Sequence, residues 1–432
     1  MPYEVRRSAP RRVAVIGGGI SGMGAAHYIV DRDRVVLFET ARRLGGHART
    51  VIAGRNGDQP VDTGFIVFNH ATYPELKRLF DELDVPTAKS EMSFGASIRG
   101  GWLEYGLNGP SAIFAQRKNV FDPRYWRMLR DIMKFNREAL AAADRSDMTI
   151  AELIALLGLG AWFRDHYLLP FSGAIWSTPA TRILDFPAKA MMQFFANHAL
   201  LNYSDQHQWY TVAGGSVEYV TRLQGSLERR GADIRTGAEV CAVRRTPDGV
   251  EVRVEGAEWE AFDDVVFATH SDQALAVLSD ATAIERTALS AIRYQPNRAV
   301  LHADERLMPR RRVCWSSWNY TEPKRKTTDR IGLTYWMNSL QPIPKSDPLF
   351  VTLNATQQIR EELIYDEVTF AHPLYDLAAQ AARETIRMNN GALNTWFCGA
   401  WMHNGFHEDG LQSALDVAQA MVERPDEALA AE

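Results

Sequence analysis

Gly17, Gly19 and Gly22 stand in GxGxxG spacing, and an acid, Glu39, follows about 20 residues later. Those residue types in that order suit the holding of a dinucleotide. Gly17 permits a tight turn, Gly19 lets a pyrophosphate approach the backbone, and Gly22, with Ala26 beyond it, allows a helix to pack closely on a sheet. Ile20 and Ser21 then open a helix whose N-terminus faces the phosphate charge, while Glu39, with Thr40 beside it, accepts from the ribose hydroxyls. The elements needed to position these residues are written around them. Val13 to Ile16 is an apolar, β-branched run that predicts a buried parallel strand; Ile20 to Val30 predicts the helix, and Val35 to Phe38 a second strand that delivers Glu39. Glycine turns alone are common in loops. Between two strands and ahead of an acid, this one specifies a dinucleotide-binding α/β fold, with NAD and FAD both open.

Near the other end, His407, Glu408 and Asp409 precede an apolar helical run and are the candidates for proton transfer. His407 leads because imidazole titrates near neutrality. Capping of the helix by Glu408 or Asp409 is an equal reading. His403 and His407 are four apart, but Gly405 and the aromatic setting speak against metal binding, and no metal is expected.

The whole composition fits a globular protein of two or three domains: 432 residues, 46% apolar and 23% charged. Disordered and low-complexity classes are excluded. A net charge of −5 gives no support for nucleic-acid binding. Cys241, Cys314 and Cys398 are odd in number and show no CxxC pairing, which speaks for a reducing compartment. No run reaches the ~18 apolar residues of a membrane span, and the basic N-terminus runs into a strand without a signal-peptide pattern, so a cytoplasmic location is expected. One segment departs from the acidic average. Between Phe114 and Arg137, Arg117, Lys118, Arg124, Arg127, Arg130, Lys134 and Arg137 face only Asp122 and Asp131, with Phe121, Tyr125 and Trp126 interleaved. It reads as a peripheral contact with the inner face of the cell membrane, or equally as a solvated helix with its apolar side on the core.

Glu39 is followed by Arg43, Gly45, Gly46 and His47, a text that resembles the R-x-G-G-[RKH] signature of the flavin amine oxidase and phytoene desaturase superfamily. Further blocks are similar in the same order: Val61 to Phe65, WYTVAGGSVEYVTRLQGSLERRGADIRTGAEVCAV, VVFATHSDQAL, and Trp396 to Gly399 followed by GFHEDGLQSALDVAQAM. The resemblance implies FAD as cofactor. It also implies cofactor contacts at Arg43, Gly45, Gly46 and His47, at Gly64 and Phe65 beside the flavin ring, at Val240 for adenine, and at Ala268, Gly399, Gly410, Leu411 and Gln412. Two departures speak against amine oxidation. Arg298 stands where those enzymes place a lysine near flavin N5, and Phe406 has no partner tyrosine in Ala400-Trp401-Met402. Nearly the whole chain resembles a bacterial group of NAD/FAD-binding proteins encoded beside methyltransferases related to cyclopropane fatty acid synthase. One branch of that group is the desaturase of methylated furan fatty acid synthesis. That likeness implies a fatty acyl phospholipid as substrate, a lipid methyltransferase as partner, and hydride transfer to the flavin. A redox-neutral double-bond isomerase, an amine oxidase and a non-catalytic flavin-binding partner are the alternatives.

The blocks divide the chain into an FAD-binding domain of three pieces, 11–72, 205–292 and 390–425, interleaved with a substrate-binding domain of 73–204 and 293–389. The expected class is a two-domain α/β (α+β) architecture: a Rossmann-type half, and an amine-oxidase-like half of antiparallel sheet plus helices. Trp176, Trp315, Trp318, Tyr335, Trp336 and Phe406 are the expected lining of an apolar substrate pocket.

Overall fold

Val13, Ala14 and Val15 are wholly buried, as an unbroken apolar run requires, and form strand β1 (Arg12–Ile16) in the middle of a parallel sheet. The computed structural model describes residues 10–145, 147–176, 180–198, 200–201, 207–325 and 332–424; residues 205, 206 and 425, the edges of two expected segments, lie outside them. Helix α1 (Ile20–Ile29) follows the glycine turn, and β2 (Arg34–Glu39) returns beside β1 in parallel register, Val13 opposite Val35. The sheet has five strands, in the order Asp233–Thr236, β2, β1, Asp264–Phe267, Thr395–Phe397, every pair parallel. Its strands therefore come from three separate stretches of chain. A hairpin is formed by Val240–Thr246 and Gly249–Val254, with Thr246 opposite Gly249 and a third strand, Trp259–Phe262, beyond.

A seven-stranded sheet forms the other half, in the order Ile364–Pro373, Tyr294–His302, Phe350–Leu353, Leu333–Trp336, Trp318–Thr321, Phe94–Ile98, Leu103–Gly106. It is not purely antiparallel as expected: Trp318–Thr321 runs parallel to Phe94–Ile98. Those last two strands come from a segment whose helical periodicity masked them, because FGASI, buried on both faces, shows no alternation. Helices Pro123–Ala142, Leu169–Trp176 and Ala188–Asn197 cover one face of this sheet and share one large apolar core with it.

The boundary at residue 72 needs correction. Helix α2 (Pro74–Glu82) belongs by packing to the cofactor half, since Leu76, Leu79 and Phe80 are buried with Met23, Tyr219 and Leu411. Strand Thr87–Ser90 likewise pairs with Trp209–Val212.

Candidate active site

The glycine turn is built as its spacing requires. Gly17 has φ +109°, donates its N–H to Phe38 O at 2.8 Å and lies against the Ala268 backbone. Gly19 caps α1 without any side-chain bond, so the first-turn N–H groups that begin with Ile20 and Ser21 have no side-chain acceptor at the cap. A methyl group built on Gly19 would meet only the Gly46 Cα, at 4.0 Å. The two glycine loops lie against each other, Gly45 N donating to Gly18 O at 2.8 Å, and they leave the Gly19 backbone uncovered beside a helix N-terminus, a cradle that suits a pyrophosphate. Glu39 accepts from Gly18 N at 2.6 Å and Ala41 N at 2.8 Å, which fixes its carboxylate at the end of β2; Thr40 is exposed beside it. Arg43 turns back on its own loop and donates to the carbonyls of Leu44, Gly46 and Ala48, so it braces the Gly45-Gly46 turn. Val240 is buried where its strand begins.

A second group of residues converges where the substrate half meets this cradle. Phe65 N donates to His47 O at 3.0 Å, and Gly64 passes so close that a methyl group there would lie 2.0 Å from the same oxygen. His47 stacks on Phe370 at 4.8 Å and lies 5.9 Å from His270 and 5.7 Å from His372. His372 in turn is 2.7 Å from the amide of Asn297. Burial, then the neighbouring His270, lowers the His47 pKa to about 4, and a hydrogen bond to the Ala371 backbone occupies one ring nitrogen. Nε2 is left buried without a partner among the described residues. Tyr219 and His270 lie within blocks noted in the sequence but were not singled out there, and Phe370, His372 and Asn297 carry no motif; the pairing of Ile364–Pro373 with Tyr294–His302 brings these last three together.

The final helix, His407–Glu423, brings its N-terminus beside that of α1. A methyl group on Gly410 would touch Ser21 Oγ at 2.8 Å, one on Gly24 would touch Leu411 at 2.6 Å, and Gly399 N donates to Ser413 Oγ at 2.9 Å. Gln412 hydrogen-bonds Asp416. The three proton-transfer candidates do not behave as expected. His407 stacks on Phe65 at 3.9 Å and meets Tyr219 Oη at 2.6 Å, and burial lowers its pKa to about 3, far from neutrality. Glu408 accepts from Glu75 N and Leu76 N at 2.8 and 2.9 Å, which makes it the cap of α2. Asp409 accepts from Phe406 N at 2.8 Å and caps its own helix. Burial raises Glu408 to about 7 and Asp409 to about 6, but both carboxyls are committed to backbone N–H groups. Glu408→Ala is accordingly expected to lower stability by about 1–2 kcal/mol while flavin content and turnover persist, as read by thermal unfolding and the visible spectrum. A variant that keeps its melting temperature but loses turnover would restore Glu408 to catalysis.

Arg298 is not brought to this site. It is half-exposed and ion-paired with Glu367 at 2.5 Å, on the neighbouring strand. Alternation along Leu333–Trp336 separates the aromatic candidates. Trp318 and Tyr335 meet edge to face at 5.3 Å against the large core, whereas Trp315 and Trp336 pack with Met308 and Phe350 in a separate cluster on the opposite face. Phe406 stacks on Phe194 at 4.6 Å; Phe194 reaches Trp176 at 5.0 Å, and Phe195 and Phe171 continue the row. Among the described residues no group of three or more His, Cys, Asp or Glu could hold a metal ion.

A family model described as flavin containing amine oxidoreductase matches residues 20–422. Coproporphyrinogen III oxidase of Mycobacterium tuberculosis (strain ATCC 25618 / H37Rv) is 41% identical over 78 residues, 17% of this chain and 16% of that protein, so the match spans under a fifth of that relative. Among solved structures, a CLA-producing fatty acid isomerase from P. acnes superposes with TM-score 0.68 at 16% identity, over 96% of this chain and 99% of the other. Cyclohexylamine oxidase from Brevibacterium oxydans IH-35A superposes with TM-score 0.65 at 14% identity, over 96% and 100%. At these identities the likeness is one of fold.

Proposed function

The chain belongs to the flavin containing amine oxidoreductase family and is an FAD-dependent oxidoreductase, and from that premise we propose that it desaturates an unsaturated, methyl-branched fatty acyl chain of a phospholipid. The observation that carries this reading is the apolar row that begins at the final helix with Phe406 and runs through Phe194, Trp176, Phe195 and Phe171 into the large core. A row of this kind would offer a hydrocarbon chain apolar contact along its length. Bound FAD supplies the two-electron acceptor for an allylic hydride. The protein supplies water exclusion and an acceptor for the proton that leaves the neighbouring carbon. Of the two buried rings His47 and His407, His47 keeps Nε2 without a partner among the described residues, its ring held by the Ala371 backbone, so position rather than basicity gives it that part. His407, held by Tyr219 and Phe65, serves as a wall.

A redox-neutral double-bond isomerase is the second reading. It is favoured by one observation: Glu408 and Asp409 are committed to helix caps and His407 to Tyr219, and returning a hydride to another carbon needs no base. The fold shared with a fatty acid isomerase points the same way. Anaerobic incubation with an unsaturated phospholipid separates the two. Lasting loss of the oxidised flavin band, with a product two mass units lighter, is the expected result at about one product per flavin. An isomerised product of unchanged mass over an oxidised flavin would overturn desaturation.

A further inference from the structure

The short helical turn Arg117–Phe121 divides its residues between two surroundings. Arg117 and Lys118 line an open polar cavity of about 730 Å³ together with Gln116, Gly101, Arg310 and Arg311, the arginines arriving from a distant part of the chain. One carboxylate lies beneath: Glu104 is wholly buried, accepts from Arg310 N at 2.8 Å and pairs with Arg311 at 2.8 Å. Lys118 Nζ donates to the Trp102 carbonyl at 2.9 Å. Among the described residues Arg117, Lys118 and Arg310 have no carboxylate partner, so the cavity keeps a surplus of positive charge on a chain whose net charge is −5. Asn119 is buried, and the last two residues of the turn, Val120 and Phe121, point outward. Phe121 is 87% exposed and Val120 42%, and on the adjoining helix Trp126 is 50% exposed, with its indole N–H bonded to Val120 O at 2.8 Å. A phenyl ring this exposed is a cost in water, and a basic cavity beside it has no internal use.

We propose that this face docks on an anionic phospholipid membrane, with a lipid phosphate in the cavity of Arg117, Lys118, Arg310 and Arg311 and with Val120 and Phe121 inserted among the acyl chains. Charge and apolar surface cooperate there: cations near an anionic leaflet contribute about 1 kcal/mol each, and the inserted phenyl ring adds a hydrophobic share. The basic helical residues noted in the sequence take a smaller part than expected, because Arg124 is paired with Asp122 and Tyr125, Met128, Ile132 and Phe135 are packed in the core. Docking is independent of which carbon the flavin oxidises, so it stands or falls apart from the desaturase reading.

Co-sedimentation of the full-length flavoprotein with vesicles of phosphatidylcholine alone, and of phosphatidylcholine with phosphatidylglycerol, tests the proposal. Binding to the anionic vesicles only, weakened by salt, is the expected result. Arg117→Ala with Lys118→Ala lowers the partition coefficient about twentyfold, and Phe121→Ser about tenfold, with melting temperature and flavin spectrum unchanged. Equal partition onto both vesicles, or variants that bind as the parent does, would overturn it. So would saturable binding of inorganic phosphate at Arg117 without any vesicle binding, which would mark a site for a soluble anion.

Discussion

Gly22→Ala is expected to yield protein that folds and purifies with flavin occupancy at least about tenfold below the parent. A methyl group at this position would lie 1.8 Å from Gly17 O and 3.2 Å from the Ala268 side chain. No real carbon sits so close to a carbonyl oxygen, and neither neighbour can step aside. Gly17 O belongs to the turn itself, whose N–H is bound to Phe38, and Ala268 N is bound to Ile16 O at 2.8 Å. The helix must therefore move away from the turn. That displaces the N–H groups of its first turn from the phosphate position, at a cost of about 1–3 kcal/mol in overpacking plus the lost alignment. Gly225→Ala is the matched control: it lies in the helix Val217–Arg229, and its methyl group would meet only the flexible end of Arg229, at 3.3 Å. It is expected to keep its flavin and to gain up to about 1 kcal/mol. The ratio of flavin to protein absorbance after gel filtration decides the matter, and full occupancy in Gly22→Ala would show that the turn does not hold the cofactor.

The second large effect is a loss of stability on mild acidification. His47, His198, His270 and His302 are lowered to about 4, and His372 and His407 to about 3, in every case chiefly by burial. In the unfolded chain each of these rings takes a proton near pH 6.5. Their contribution is thus complete above pH 6.5 and is lost as pH falls toward 4, because the unfolded state binds more protons throughout that window. Three carboxyls oppose the trend. Asp62 and Asp409, raised to about 6, and Glu408, raised to about 7, hold protons in the folded state that the unfolded chain has released, so their contribution grows as pH falls from 7 to about 4. Six rings outweigh three carboxyls. Near pH 5.5 the unfolded chain binds roughly three more protons, about 4 kcal/mol per pH unit at most and about half that once the surface these rings still show is allowed for. Urea unfolding at pH 7.0, 6.0 and 5.5 should show a steep fall in the midpoint. A flat profile would mean that the rings are solvated.

The cofactor half was largely legible because its determinants are local. A strand, a glycine turn and a helix lie within 20 residues of one another, and the second glycine pair at Gly45 and Gly46 follows directly on β2. The proton-transfer trio was misjudged for a different reason. Sequence places His407, Glu408 and Asp409 together, but their partners are Tyr219, Glu75, Leu76 and Phe406, and only the docking of α2 on the final helix shows that Glu408 caps a helix 333 residues away. Trp336 and Tyr335 are adjacent in sequence and therefore opposite in space, so listing both as pocket residues contradicted the period of a strand. His47 was named for its place in a motif. Its part in a cluster with His270 and His372 depends on the return of the last long strand and has no local signature.

The parallel sheet that carries the flavin site has a temporal consequence. Strand Asp264–Phe267 waits beside β1 for its outer neighbour until Thr395–Phe397 leaves the ribosome, and the final helix that abuts α1 comes later still. Pairings this distant are slow to form, and the waiting strand presents unpaired backbone groups meanwhile. The cradle thus draws on residues from Arg12 to the helix His407–Glu423. A chain cut before residue 395 would lack the outer neighbour of strand Asp264–Phe267 and the helix that abuts α1, and so would keep an open sheet edge beside an unfinished cradle.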